Sequence, residues 1–490
     1  MRVSLAIRRL LRDFGDDERG SFAIITGAIL TVVLLSVGFA VNLAQLHQVK
    51  SNLGNALDAA VTSTARDLTT GKVKPENARA LVETFLEANS KPELVASGRL
   101  FLDEMIVDQS ARTVEATAHV DVDLFFPLFS SGDTQRVNNI SAAVYTDKQI
   151  EVAMMLDVTG SMAKKGKTDK IGDLIDAATN AVTTMMANQD PKNPRIRLAL
   201  VPYASGVNTG ALLNNVYAEK SSGSDLPPAA DDPIFGGKKD KPLPAFGDYL
   251  AAVKSNFPHD DNCATERKDK DGNPDFSADG PDTVRTNGKG KKYYALVNRD
   301  NNLSGSGMNK CPDAKIVPLT ADSDTLIDSI ETYKANGYTA GAIAIQWTYY
   351  MLSPKWRDAI KAAKLGDGPA DHAPSKISKV AILMTDGQFN TAYAGVGKNF
   401  NSQDSKTRQN AEKICTNMKD DGIEVYTIGF DLDNKDMTKD QRDAAKGVLK
   451  KCASKDVSSV QHYFETSTGE ELNAAFLEII GNTERIALTQ

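Results

Sequence analysis

Apolar positions change their period three times along the chain, and each change marks a different kind of element. Residues 21 to 44, SFAIITGAILTVVLLSVGFAVNLA, hold no charged side chain. About 20 apolar residues at 1.5 Å rise cross ~30 Å of hydrocarbon, so this stretch predicts a transmembrane helix. It is longer than the apolar core of a secretory signal, and no Ala-x-Ala-like cleavage site follows. Leu46, Val49, Leu53, Leu57 and Ala60 then recur at three- and four-residue steps, which carries the helix past the bilayer. A second helix is expected over residues 75 to 88, with Pro75 tolerated in its first turn. Three alternating runs follow, RLFLDEMIVD, RTVEATAHVDVDLFF and RVNNISAAVYTD, and predict a small antiparallel sheet.

From Gln149 strand and helix alternate. IEVAMMLDV is a near-continuous apolar run, suited to a parallel strand buried on both faces. Ile171, Leu174, Ile175, Ala178, Val182 and Met185 then share one helical face. IRLALVPY, SKVAILMTDG, IEVYTIGF and QHYFET repeat the strand pattern, with helices expected near 403 to 421, 438 to 453 and 469 to 482. The fold class is therefore α/β, a doubly wound, Rossmann-like parallel sheet. Between about 205 and 315 the alternation fails in a stretch rich in Gly, Pro, Asp, Lys and Asn, read as a long loop insertion. The expected divisions are 1–20 as a cytoplasmic N-terminus, 21–46 as the anchor, 47–148 as a helical stalk with a small α+β region, and 149–484 as the α/β domain.

Composition narrows the setting. The chain has 490 residues, 41% of them hydrophobic and 25% charged, enough for more than one core. A net charge of -7 and 7% aromatic residues leave no basic footprint or stacking platform, so no nucleic-acid partner is expected. Arg2, Arg8, Arg9, Arg12 and Arg19 precede the span and keep that side cytoplasmic, placing the rest of the chain across the membrane. An oxidising compartment permits disulfides. Four cysteines allow three pairings; their grouping favours Cys263 with Cys311 and Cys415 with Cys452, with free buried thiols as the alternative. The five histidines are scattered singly, and no spacing suggests zinc.

The candidate chemistry sits at strand ends, where ligands of open parallel sheets bind. The apolar run of IEVAMMLDVTGSM ends on Asp157, followed by Thr159 and Ser161, and that of AILMTDG ends on Asp386. NGYTAGAIAIQW places Thr339 in a Gly-flanked loop ahead of a helix. Three loops can thus converge to bring together five hard oxygen donors, a set suited to Mg2+, with Mn2+ or Ca2+ as substitutes. The alternative is that these residues cap helices and satisfy local backbone groups. DKDGNPD in the insertion lacks the first acidic position of a helix-flanked calcium loop, which is Arg267 here, and is read as a solvated loop.

On these residues a resemblance appears. DVTGSM resembles the Asp-x-Ser-x-Ser motif of von Willebrand factor type A domains, with Thr159 in place of the first Ser, and Thr339 and Asp386 match the second and third motif positions. The resemblance implies a metal-ion-dependent adhesion site that takes an Asp or Glu carboxylate from a partner. The N-terminal outline is pilin-like. ERGSFAIITGAIL and NLAQLHQVKSNLGNALDAAVTSTA resemble TadG-like proteins of the Tad/Flp pilus assembly system, as do YTAGAIAIQWTYYMLSP, LMTDGQFNT and LNAAFLEIIGNTERIALTQ. Related pilin-like members are cleaved after a Gly with Glu five residues on. Gly20 is followed by Ile25 at that place, so the anchor is expected to be retained. A phosphohydrolase using Asp157 as nucleophile would need a second acid two residues on, where Thr159 stands. Binding in pilus assembly or surface adhesion is therefore expected rather than catalysis, with a structural component carrying a vestigial metal site as the alternative.

Overall fold

The computed structural model describes residues 19–489 except 70–72, 92–97, 109–110, 128–133, 146–147, 188, 190–193, 220–225, 236–240, 259, 304–306, 375, 397–398, 436 and 458–459. The expected cytoplasmic residues 1–18 lie outside that set. The chain divides into two compact units, residues 1–146 and 147–490.

In the first unit the expected anchor and stalk are one continuous helix, α1 (Arg19–Thr69). Its 51 residues span about 76 Å at 1.5 Å per residue. Its two halves differ in what surrounds them: side chains from Ile24 to Phe39 are exposed, whereas Leu53, Leu57, Ala60 and Val61 are buried. The second half packs against α2 (Ala78–Asn89) and one face of an antiparallel meander, β1 (Leu100–Asp108), β2 (Thr113–Asp123) and β3 (Thr134–Val144). Val114, Ala116, Ala118, Val120 and Val122 alternate inward along β2, the period that gives a strand one buried face. Pro75 opens a single 3-10 turn ahead of α2 rather than the helix itself.

The second unit is built on a central sheet. Five parallel strands run in the order β9 (Tyr463–Thr466), β8 (Glu424–Phe430), β7 (Ile377–Thr385), β4 (Gln149–Asp157) and β5 (Ile196–Tyr203), with β6 (Val317–Thr320) antiparallel to β5. Short antiparallel pairings at Val207–Asn208 and Cys263–Ala264 extend that edge. Both faces are covered. Val152, Met154 and Leu156 point to a core with α3 (Lys170–Met186), α4 (Ser323–Glu331) and α8 (Gly469–Thr489). Ala153 and Met155 point to another with α5 (Gly341–Leu352), α6 (Asp404–Asp420) and α7 (Lys439–Cys452). Burial on both sides is why β4 reads as a continuous apolar run.

The insertion is more ordered than a solvated loop. It has a helix (Phe246–Asn256) and its own core of Tyr217, Tyr249, Val253, Phe257 and Leu296. Cys263 is bonded to Cys311, and Cys415 on α6 to Cys452 on α7. Arg267 is 1% exposed; its guanidinium donates to Asp275 Oδ2 at 2.9 Å and to the carbonyls of Asp279, Ala295 and Ser277. Sequence composition favours a loop here because polar groups such as the Arg267 guanidinium are matched by partners within the insertion, where no period records it. In DKDGNPD, Asp269 Oδ1 accepts from the backbone N–H of Asp271 and Asn273, so the carboxylate is used in a turn.

Candidate functional site: an oxygen cluster on the sheet rim

Asp157 ends β4 and is fully buried. The Thr159 N–H donates to its Oδ1 at 2.9 Å, and the hydroxyls of Tyr203 and Thr385 each donate to its Oδ2 at 2.7 Å. Burial, and next the negative charge of Asp157, push the Tyr203 hydroxyl well above its usual range, which keeps it a donor. Around the next turn the Thr159 and Ser161 hydroxyls are 2.9 Å apart, and Ser161 donates to Asp386 Oδ1 at 2.5 Å. Asp386 follows β7 and is 1% exposed. Burial and neighbouring Asp157 raise its pKa to about 6, against the pull of Lys170.

The loop before α5 is stitched to this rim by backbone bonds. Gly160 N–H donates to the Gly337 carbonyl and Asn336 N–H to the Val158 carbonyl, both at 2.9 Å. Gly337 has φ +89° and a Cβ there would stand 2.9 Å from that of Ala204, so only glycine brings the loop this close. Thr339 is fixed from the other side: its N–H donates to Asn390 Oδ1 at 3.0 Å, and its carbonyl accepts from Asn390 and Thr391. All five expected residues therefore reach one rim. Ser161, Thr339 and Asp386 line a cavity of about 400 Å³, with Asp157 and Thr159 standing behind it.

Two charged residues at the rim escaped sequence reasoning. Lys170, the first residue of α3, places Nζ 3.0 Å from Asp386 Oδ2 and 2.9 Å from Asp431 Oδ2. Burial works against its ammonium, but Asp386 and Asp431 outweigh burial and hold its pKa above the ordinary value. Asp431 follows β8 in a left-handed backbone conformation, φ 50°, which Asp tolerates better than most residues. The signal that found Asp157 and Asp386, an apolar strand ending on a carboxylate, is present again in EVYTIGFD. Lys170 has no such signal, because only the reach of its side chain brings it to the rim.

The donor chemistry admits a small hard cation. Adjacent oxygens around Mg2+ at ~2.1 Å sit about 3.0 Å apart, close to the Thr159–Ser161 separation of 2.9 Å. The Ser161–Asp386 pair, at 2.5 Å, is a hydrogen bond that must open slightly to share an ion. Asp157, Asp386 and Asp431 against Lys170 leave a surplus of two negative charges.

Residues 20–67, most of α1, match the Tad family model, described as TadE/G-like Flp pilus assembly. No curated protein matches the chain. Among solved structures it is similar to the pilus adhesin SpaC from Lactobacillus rhamnosus GG, at 12% identity and TM-score 0.35, covering 79% of this chain and 34% of that one. The chain thus spans about a third of the length of SpaC. It is also similar to the vWF domain of the type V pili tip protein Mfa5 from Porphyromonas gingivalis, at 12% identity and TM-score 0.36, covering 71% and 98%. The pilus adhesin RrgA from Streptococcus pneumoniae gives 10% identity and TM-score 0.32, covering 78% and 48%.

Proposed function

We propose that the protein is a membrane-anchored binding component of a Tad/Flp pilus system, with α1 crossing the inner membrane and the second unit, a von Willebrand factor type A domain, in the periplasm. The match of residues 20–67 supports the pilus assignment. In this reading the rim holds one divalent cation, Mg2+ by donor type, through Ser161, Thr159, Thr339 and Asp386, with Asp157 behind them. The observation that carries it is the contact of three oxygens from two loops, Thr159, Ser161 and Asp386, beside unbalanced negative charge. Bound there, the cation supplies an electrophilic position for a carboxylate from a pilus-assembly or surface partner.

The chain's own residues do the positioning. Tyr203 and Thr385 hold the Asp157 carboxylate in place, and Asn390 fixes the backbone of Thr339. Lys170 restrains Asp386 from the side away from Ser161. A second reading is favoured by that same lysine: its ammonium is a permanent counter-ion, and the site is a structural remnant of a metal centre.

The test is capture of pilus-assembly proteins from an envelope extract on immobilised full-length protein, with Mg2+ or with EDTA. The binding reading expects a Mg2+-dependent partner, lost in Asp386→Ala and competed by acidic but not amidated peptides. Equal capture in EDTA contradicts it and favours the structural reading.

A further inference from the structure

The turn that leaves β2 carries two exposed aromatic rings at an unusual place. Phe125 is 69% exposed and Phe126 41%, and both belong to the end of the sheet nearest the apolar half of α1. The turn is clamped to the helix. Asn42 Nδ2 donates to the Phe126 carbonyl at 2.7 Å, while Phe126 N–H donates back to Asn42 Oδ1 at 3.0 Å. One turn on, Gln45 Nε2 donates to the Asp123 carbonyl at 2.8 Å, and Gln45 Oε1 accepts from Phe125 N–H at 3.3 Å.

These bonds fix the height of the rings along α1. Counting ~20 residues for the hydrocarbon from Phe22 puts the exit of the span at about Val41. Asn42 is the next residue, and Gly38 and Asn42, one helical turn apart on one face, are the buried residues between positions 24 and 44. An amide this close to hydrocarbon is costly unless paired, and the Phe126 backbone pairs both of its ends. Beyond the rings the chemistry turns charged: Lys91, Arg99, Asp121 and Asp123 line a cavity beside Phe125, and Arg99 pairs with Asp123. Apolar helix, aromatic rings and charged groups thus follow one another in the order of hydrocarbon, interface and headgroups.

We infer that residues 124–127 form a second membrane contact, with Phe125 and Phe126 seated in the interface of the bilayer that α1 crosses. The inference rests on reading α1 as a span. A lipid surface is the committed occupant because the rings are exposed while their backbone is held rigidly to the membrane-exit turn. The contact would set the tilt of the small sheet against the bilayer, which a single helix does not fix.

The test uses full-length protein in proteoliposomes with lipids brominated along the acyl chain. Trp347 and Trp356 are fully buried in the second unit and give a constant background in the parent protein. Phe125→Trp adds a reporter, and Ile106→Trp places a control roughly 27 Å away along the sheet. The expected result is quenching of the added Phe125→Trp emission by about two-fold or more, with a blue-shifted maximum and no quenching at position 106. Asn42→Ala in the Phe125→Trp background should relax the quenching. Alkaline carbonate extraction separates the two layers of inference. Release into the supernatant overturns both the span and the contact, whereas an integral protein whose Phe125→Trp emission is unquenched overturns the contact alone.

Discussion

Two groups of charged side chains lie at opposite ends of β4, and they are built on different balances. At the entry of the strand, Glu151 is 1% exposed and faces Lys379 on β7 and Arg197 on β5, its partners in register on both neighbours. Lys379 Nζ reaches Glu151 Oε2 at 2.8 Å and the carbonyls of Leu352 and Ala370 at 2.7 Å; Arg197 pairs with Glu151 and donates to the Gly368 carbonyl. One carboxylate has two cations there, and all three side chains are tied to backbone as well or to each other. At the exit, Asp386 and Asp431 share the ammonium of Lys170, while Asp157 beside them accepts only from neutral donors. The first cluster joins three neighbouring strands in register, and the second carries a surplus of negative charge. Burial alone does not distinguish them, since both are inside; charge count and open volume do.

The entry cluster can be broken most severely. Glu151→Ala leaves Lys379 buried without its carboxylate, and removing one member of a buried pair costs about 3–5 kcal/mol. Urea unfolding followed on the full-length protein in detergent should show that loss. A change under about 1 kcal/mol would mean that the entry cluster is not a structural lock.

A further buried carboxylate sharpens the contrast, because it forms no ion pair among the described residues. Glu266 in the insertion has its pKa raised to about 7, chiefly by burial, with only partial relief from the Tyr393 N–H. A carboxyl whose folded pKa exceeds its unfolded value stabilises the fold at low pH. Its contribution is complete below about pH 4.5 and lost as pH rises through about 7, about 3 kcal/mol in all. Thermal melts between pH 4.5 and 8 should show this decline, and Glu266→Gln should flatten it. An unchanged slope in that variant would assign the pH dependence elsewhere.

At the exit rim the expected effects are smaller and depend on ligand. Mg2+ at ~100 times its dissociation constant should stabilise the protein by about 2.7 kcal/mol, seen as a rise in melting temperature. Asp157→Ala and Asp386→Ala should each abolish it. Lys170→Met removes the competing ammonium and should make the stabilisation begin at lower Mg2+, whereas weaker stabilisation would show that Lys170 positions Asp386 rather than competing at it.

The contrast also marks how far the sequence is legible. Asp157, Asp386 and Thr339 are readable because strand ends and a Gly-flanked loop announce themselves in the local period. Glu151, Lys379 and Arg197 sit inside apolar runs, and only inter-strand register shows that they meet. Lys170 reads as an ordinary helix-start residue until its side chain is followed to Asp386 and Asp431. The insertion, with Arg267 bound to four groups of its own segment, hides its order in the same way. Local pattern locates elements and their ends; long-range charge pairing follows from topology.

The central claim is that the exit cluster takes a divalent cation while the entry cluster does not need one. Isothermal titration of Mg2+ into EDTA-stripped full-length protein, run beside Asp386→Ala and an entry-cluster control, Arg197→Lys, tests it directly. One binding event per chain is expected in the parent and in Arg197→Lys, and none in Asp386→Ala. No Mg2+ uptake by the parent, or uptake unaltered by Asp386→Ala, would contradict it.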